Sequence, residues 1–318
     1  MNNLKKLGLT ALAGSLVATS AYAGSLDVTG GASIKYTSHD NDQVTGNPWT
    51  MGRGITFSGG GEMDNGWNVN MFYIMDDAAF SSSGISIDMG DAGTAYFDNG
   101  TASTGIASMK DKIPVAGAEQ AYDDMDGDGE GLSSFPTSGT LGYKTTFNDY
   151  TISAAYNKNG STSTGGATTK YHESSTSVAV SGTVADGVEA GLGWASVSGA
   201  GNDSDTTQMT TYAKYSSEVG ATVAVQYTEL DQPAGTNDID SIGYGVTFAV
   251  NDNLSIGMSR LDVNYNTASK SDQSSTGIGA SYTAGSMAIK GSTSTTDSAS
   301  GTSGSDDKHT EIVLSFAF

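Results

Sequence analysis

From residue 25 onward, large apolar and small polar side chains alternate along the chain. Such alternation sends successive side chains to opposite faces of an extended strand. Read at this period, the chain divides into sixteen segments: 25–37, 53–63, 67–75, 84–89, 93–97, 139–147, 150–157, 173–184, 188–197, 207–216, 221–230, 240–250, 254–265, 275–284, 286–295 and 308–318. Most are about 9–11 residues long, the length a tilted strand needs to cross a bilayer. The intervening stretches alternate short and long without exception, and all four prolines fall in the long ones, where no ladder hydrogen bond is lost. The last segment puts Ile312, Leu314, Phe316 and Phe318 on one face.

The two faces differ in a telling way. In 240–250 one face is Ile242, Tyr244, Val246, Phe248 and Val250, and the other is Gly243, Gly245, Thr247 and Ala249. A soluble sandwich would pack large apolar groups inward. Here the large groups share one side and the other is small and polar, as expected for lipid outside and water inside. Composition agrees: only 36% of residues are hydrophobic and 43 are glycine, too polar for a large dry core at this length. A disordered or repetitive surface protein would share that composition but not the alternation. An all-β, transmembrane antiparallel β-barrel of sixteen strands is expected, because a closed barrel leaves no strand edge in lipid. With no cysteine, rigidity must come from hydrogen bonding and packing.

The N-terminus reads as a leader. Lys5 and Lys6 precede an apolar run over 7–17, then Ala21-Tyr22-Ala23 before Gly24. That order describes a cleavable secretory signal over 1–23, with one barrel domain over 24–318. Without the two leader lysines, twelve bases oppose 35 acids, a net −23. Such a chain repels phosphate, which excludes nucleic acid as a partner.

On strand number, loop alternation, terminal Phe318 and one long connection, the chain resembles the Gram-negative general diffusion porins. The resemblance implies a homotrimer in the outer membrane, surrounded by its lipid, that passes small hydrophilic solutes and ions. It implies that the third outer loop, here 98–138, folds into the pore, and that Phe318 is part of the assembly signal read by the barrel-assembly machinery. On that loop Asp98, Asp111, Glu119, Asp123, Asp124, Asp126, Asp128 and Glu130 are the candidate constriction acids. In the family such acids face bases on the wall. By strand parity Lys35, Lys144, Lys214 and Lys290 point to the lumen, while Arg53 and Arg260 do so only if a bulge intervenes. With few arginines and many acids, cation preference is expected.

Asp124, Asp126 and Asp128 with Gly129 match the first half of a calcium loop, but Phe135 stands where a bidentate Glu is required. A structural Ca²⁺ there is a candidate, and no cofactor is otherwise required. An enzyme is not expected: His39, His172 and His309 stand in no motif with a nucleophile, and the Gly191/Gly193 and Gly243/Gly245 pairs lack a third glycine for a phosphate loop. A substrate-specific channel would add an aromatic ladder to the lumen, where only Tyr212 points by parity. An adhesin would need a larger outer domain than these connections supply.

Overall fold

A computed structural model of the chain describes residues 26–39, 47–77, 79–122, 132, 138–158, 161–164, 167–170, 172–199, 205–232 and 238–318. The expected leader over 1–23 lies outside them. The strands are β1 (Leu26–His39), β2 (Trp49–Glu62), β3 (Asn68–Asp76), β4 (Ala79–Asp88), β5 (Thr94–Asn99), β6 (Ser138–Phe147), β7 (Tyr150–Lys158), β8 (Ser161–Thr164), β9 (Ala167–Lys170), β10 (His172–Ala185), β11 (Val188–Gly199), β12 (Thr206–Ser216), β13 (Ala221–Asp231), β14 (Ile239–Ala249), β15 (Leu254–Tyr265), β16 (Gln273–Ala284), β17 (Met287–Asp297) and β18 (Asp307–Ala317). All but β8 and β9 pair with their neighbours into a closed antiparallel barrel of sixteen strands among the described residues, and β8 pairs with β9 alone.

Turn chemistry fixes the short connections. Asn65 Oδ1 accepts from Trp67 N at 3.1 Å, and Asp88 Oδ1 accepts from Gly90 N at 3.0 Å. Asn251 Oδ1 takes both Asn253 N at 2.9 Å and Leu254 N at 3.0 Å. A short acceptor side chain that bonds the backbone two or three residues on makes a tight turn without help from tertiary structure. Between β10 and β11, Gly187 adopts φ +68°, a conformation that a side chain would resist.

The chain closes on itself where β18 meets β1, in register from Gly31↔Ala317 to His39↔His309. The terminal residue extends the ladder: Gly30 N donates to Phe318 O at 2.7 Å and Phe318 N to Gly30 O at 2.9 Å. The Phe318 ring lies over Gly30, where a Cβ would stand 2.8 Å from the ring. The seam is thus hydrogen-bonded to the last residue.

Register assigns the faces. Ile34 is level with Met51 and Leu314, and that set is apolar; Lys35 is level with Thr50 and Val313 on the other side. Leu192, Trp194, Val225, Tyr244, Ile256 and Ile278 are all exposed on the apolar side. Two features depart from the sequence reading. The β3–β4 connection shrinks to residues 77–78, because β4 starts at Ala79, so the short–long alternation fails there. A register shift at Ile74/Met75 turns Phe80 out beside Tyr73, 5.3 Å between ring centroids, and the serines at 81–83 continue the strand. The β8–β9 hairpin also went unread, since its Ser/Thr run carries no apolar period.

Replacing the last ring tests the seam. Phe318→Ala is expected to lower the fraction of chain that migrates as folded, heat-modifiable barrel on semi-native gels. An unchanged fraction would mean that the ladder hydrogen bonds close the seam without the ring.

Candidate functional site

Residues 100–122 leave β5 and run along the polar face of the wall. Thr104 lies against Gly142 of β6. A 3₁₀ turn, Gly105–Met109, follows. Gly105 N donates to Ser153 Oγ of β7 at 2.8 Å, and Ile106 N to Ser177 Oγ of β10 at 3.2 Å. Gln226 Nε2 of β13 donates to Met109 O at 2.9 Å, and Ala121 N to Ser259 Oγ of β15 at 3.3 Å. Each wall hydroxyl or amide therefore satisfies a backbone group that helix or sheet would otherwise have to satisfy.

Glycine makes the approach possible. A Cβ on Gly193 would meet Ile106 and Met109 at 3.0 Å, and one on Gly245 would meet Ile113 at 2.8 Å. Gly277 faces Ala121 in the same way, and a Cβ on Gly279 would overlap the backbone of Gly117. Small apolar clusters form along the path: Ile106 with Leu132 and Ala195, Met109 with Ala179 and Tyr212, and Tyr122 with Leu261, Val263 and Tyr265. The Gly-x-Gly spacing noted in the sequence was the available signal, and it marks wall positions kept bare for this segment.

Charged groups gather at two corners of the polar face. At the first, Lys112 lies over the Tyr212 ring, 5.0 Å from its centroid. Lys214 Nζ stands 2.7 Å from Glu189 Oε2, and Glu189 also accepts from the Tyr212 hydroxyl. Lys144 lies over Tyr96 at 5.5 Å. Burial pushes the Lys112 ammonium below the usual lysine range, opposed by the Glu189 carboxylate and assisted by the charges of Lys214 and Lys144. Lys112 has no ion pair among the described residues. At the second corner, Glu119 Oε1 is 2.7 Å from His309 Nδ1, and Lys35 pairs with Glu311. Glu189, His309 and Glu311 were not singled out as pore groups, although their parity puts them on this face.

Lys290 is exposed on the polar face, level with Ser281 and Val313. Asp98 belongs to β5 rather than to the connection; it is 2% exposed and accepts from Ser103 N at 3.2 Å and Ser103 Oγ at 2.8 Å. Asp111 is exposed, at φ +56°. Asp123, Asp124, Asp126, Asp128 and Glu130, and with them the candidate Ca²⁺ set, lie outside the described residues.

The two arginines require correction. Arg53 is level with Ala32 on the apolar face and 3.6 Å from Asp77. Arg260 is level with Tyr244 and Thr276 on that face, and its Nη2 stands 2.7 Å from Asp262 Oδ1. No bulge intervenes at either, so both keep the parity of their apolar neighbours.

A sixteen-strand barrel with an apolar outer face and a polar inner one has the build of a bacterial outer-membrane channel. The chain belongs to the Gram-negative porin family, whose model matches residues 8–318. No sequence relative was found among curated proteins. Similar solved structures include a porin with TM-score 0.72 at 15% identity, covering 92% of this chain and 100% of that one. An anion-selective porin from Comamonas acidovorans aligns with TM-score 0.65 at 14% identity, over 93% of this chain and all (100%) of its own. OmpT of Vibrio cholerae, with its loop L8 deleted, aligns with TM-score 0.66 at 14% identity over 93% and 100%. At these identities the likeness is one of fold. Together with the family, it makes the protein an outer-membrane channel for diffusion.

The glycine contacts can be tested by proteolysis. Gly279→Leu should displace the backbone at Gly117 and open the chain to trypsin at Lys110 and Lys112, several-fold faster than in the unaltered barrel. Equal cleavage rates would mean that the close approach does not hold the segment.

Proposed function

We propose that the segment 100–122 is folded into the barrel and narrows a water-filled pore, through which small hydrophilic solutes and ions diffuse passively. The carrying observation is that residues 104–122 touch the polar face of strands from β6 round to β18. In a closed barrel a single short segment reaches that many polar faces only from within. A homotrimer in lipid is inferred from the family, and the short β5 together with the two-residue β3–β4 connection fits a low wall where copies meet.

The charge preference is the finer part of this reading. The acid surplus of the sequence points to cations, but the acids of 123–130 that would carry that preference lie outside the described residues. Several other acids lie away from the lumen: Glu229, Asp231, Asp240, Asp262 and Asp297 share the apolar face by register. On the polar face Glu119 and Glu311 are paired with His309 and Lys35, whereas Lys112 is paired with no carboxylate among the described residues. The charges of Lys144 and Lys214 both act on Lys112 across this corner. The described lining therefore favours anions slightly, and salt should weaken the preference as screening shortens its reach to about 10 Å at 0.1 M.

The reversal potential under a salt gradient tests the sign. It is expected to favour anions, and a preference for cations would overturn this reading and assign control to the acids of 123–130. Since burial holds Lys112 below the usual lysine range, its charge is lost before that of an ordinary lysine as pH rises. Anion preference should therefore begin to fall at a pH below that at which ordinary lysines lose their charge, and Lys112→Gln should remove that part of the fall.

A further inference from the structure

We propose that Glu119, His309 and Glu311 form a binding site for a divalent transition-metal ion of the Zn²⁺ type, which ties the segment after β5 to β18. One ligand atom from each residue can be chosen so that all three lie within 4.8 Å of one another. Zn²⁺ bonds imidazole nitrogen and carboxylate oxygen at about 2.0–2.2 Å, which sets such atoms roughly 3.3–3.6 Å apart in a tetrahedral site. The most widely separated of the three thus need to close by at most roughly 1.2–1.5 Å around the ion. Glu119 and His309 already touch at 2.7 Å and would part slightly to admit it.

The surroundings favour a cation beyond the charges that are visible. His309 is 1% exposed, and its Nε2 has no hydrogen-bond partner among the described residues. His39, its register partner on β1, lies with its ring centroid 4.3 Å away, and His39 Nδ1 is likewise buried without a hydrogen bond among the described residues. Two imidazoles and two carboxylates therefore share one corner, a donor set mixed in nitrogen and oxygen. Ca²⁺ and Mg²⁺ take oxygen ligands, so imidazole at the centre selects against them. Lys35 is the internal competitor, because its ammonium already pairs with Glu311. The fourth position is open to His39 or to water.

This inference rests on the Glu119–β18 contact and not on the pore-narrowing reading, and binding is measured without conductance, so the two fail separately. Titration calorimetry of the full chain in detergent, with ZnCl₂ and then with CaCl₂, is the direct test. One Zn²⁺ per chain is expected, with no comparable Ca²⁺ binding. His309→Gln and Glu119→Gln should each weaken Zn²⁺ binding at least tenfold, Lys35→Met should strengthen it, and His172→Gln should leave it unchanged. Heat-modifiable gel migration checks folding. If His309→Gln does not fold, Glu119→Gln carries the test, because Glu119 lies in a connection and not in the ladder. No Zn²⁺ binding, equal binding of Ca²⁺, or binding indifferent to Glu119→Gln would overturn the assignment.

Discussion

An amide or carbonyl without a partner in hydrocarbon costs several kcal/mol, and no water is at hand to relieve it. A sheet in lipid therefore cannot end in an edge. The seam between β1 and β18, paired through to Phe318, is where this chain meets that constraint. Closure at sixteen strands leaves a lumen too wide for wall side chains to fill. The alternation of large apolar and small polar residues follows, with lipid requiring one face and water permitting the other.

A wide polar lumen poses a second problem: how to hold a chain segment inside without a hydrophobic core. The solution combines close backbone approach at Gly193, Gly245, Gly277 and Gly279 with wall hydroxyls that accept backbone N–H groups. A net hydrogen bond is worth about 0.5–1.5 kcal/mol, so no single one anchors the segment. The small clusters around Ile106, Met109 and Tyr122 add apolar contacts at intervals. Anchoring is spread along the path, and the charged corners near Lys112 and His309 stand where the path crosses β12 and β18.

Period two was enough to read the barrel, because one face of every strand must be apolar in lipid. It was also enough to separate Lys35, Lys144, Lys214 and Lys290 from Arg53 and Arg260, once register excluded a bulge at the arginines. It failed where alternation carries no signal. The serines at 81–83 hid the start of β4, and a Ser/Thr run hid β8 and β9. The path of 104–122 was beyond it for a different reason. Contacts such as Ala121–Ser259 join residues far apart in sequence, and only their bare glycines were visible in advance. His309 and Glu119 pair across a similar separation, so neither suggested the other.

Single-channel conductance of the full chain, beside a variant lacking residues 116–134, tests the central claim most directly. Ohmic steps from the full chain and larger steps from the shortened one, in the same salt, are the expected result. Equal steps would put the segment outside the conduction path, and an absence of steps from the full chain would contradict the pore itself.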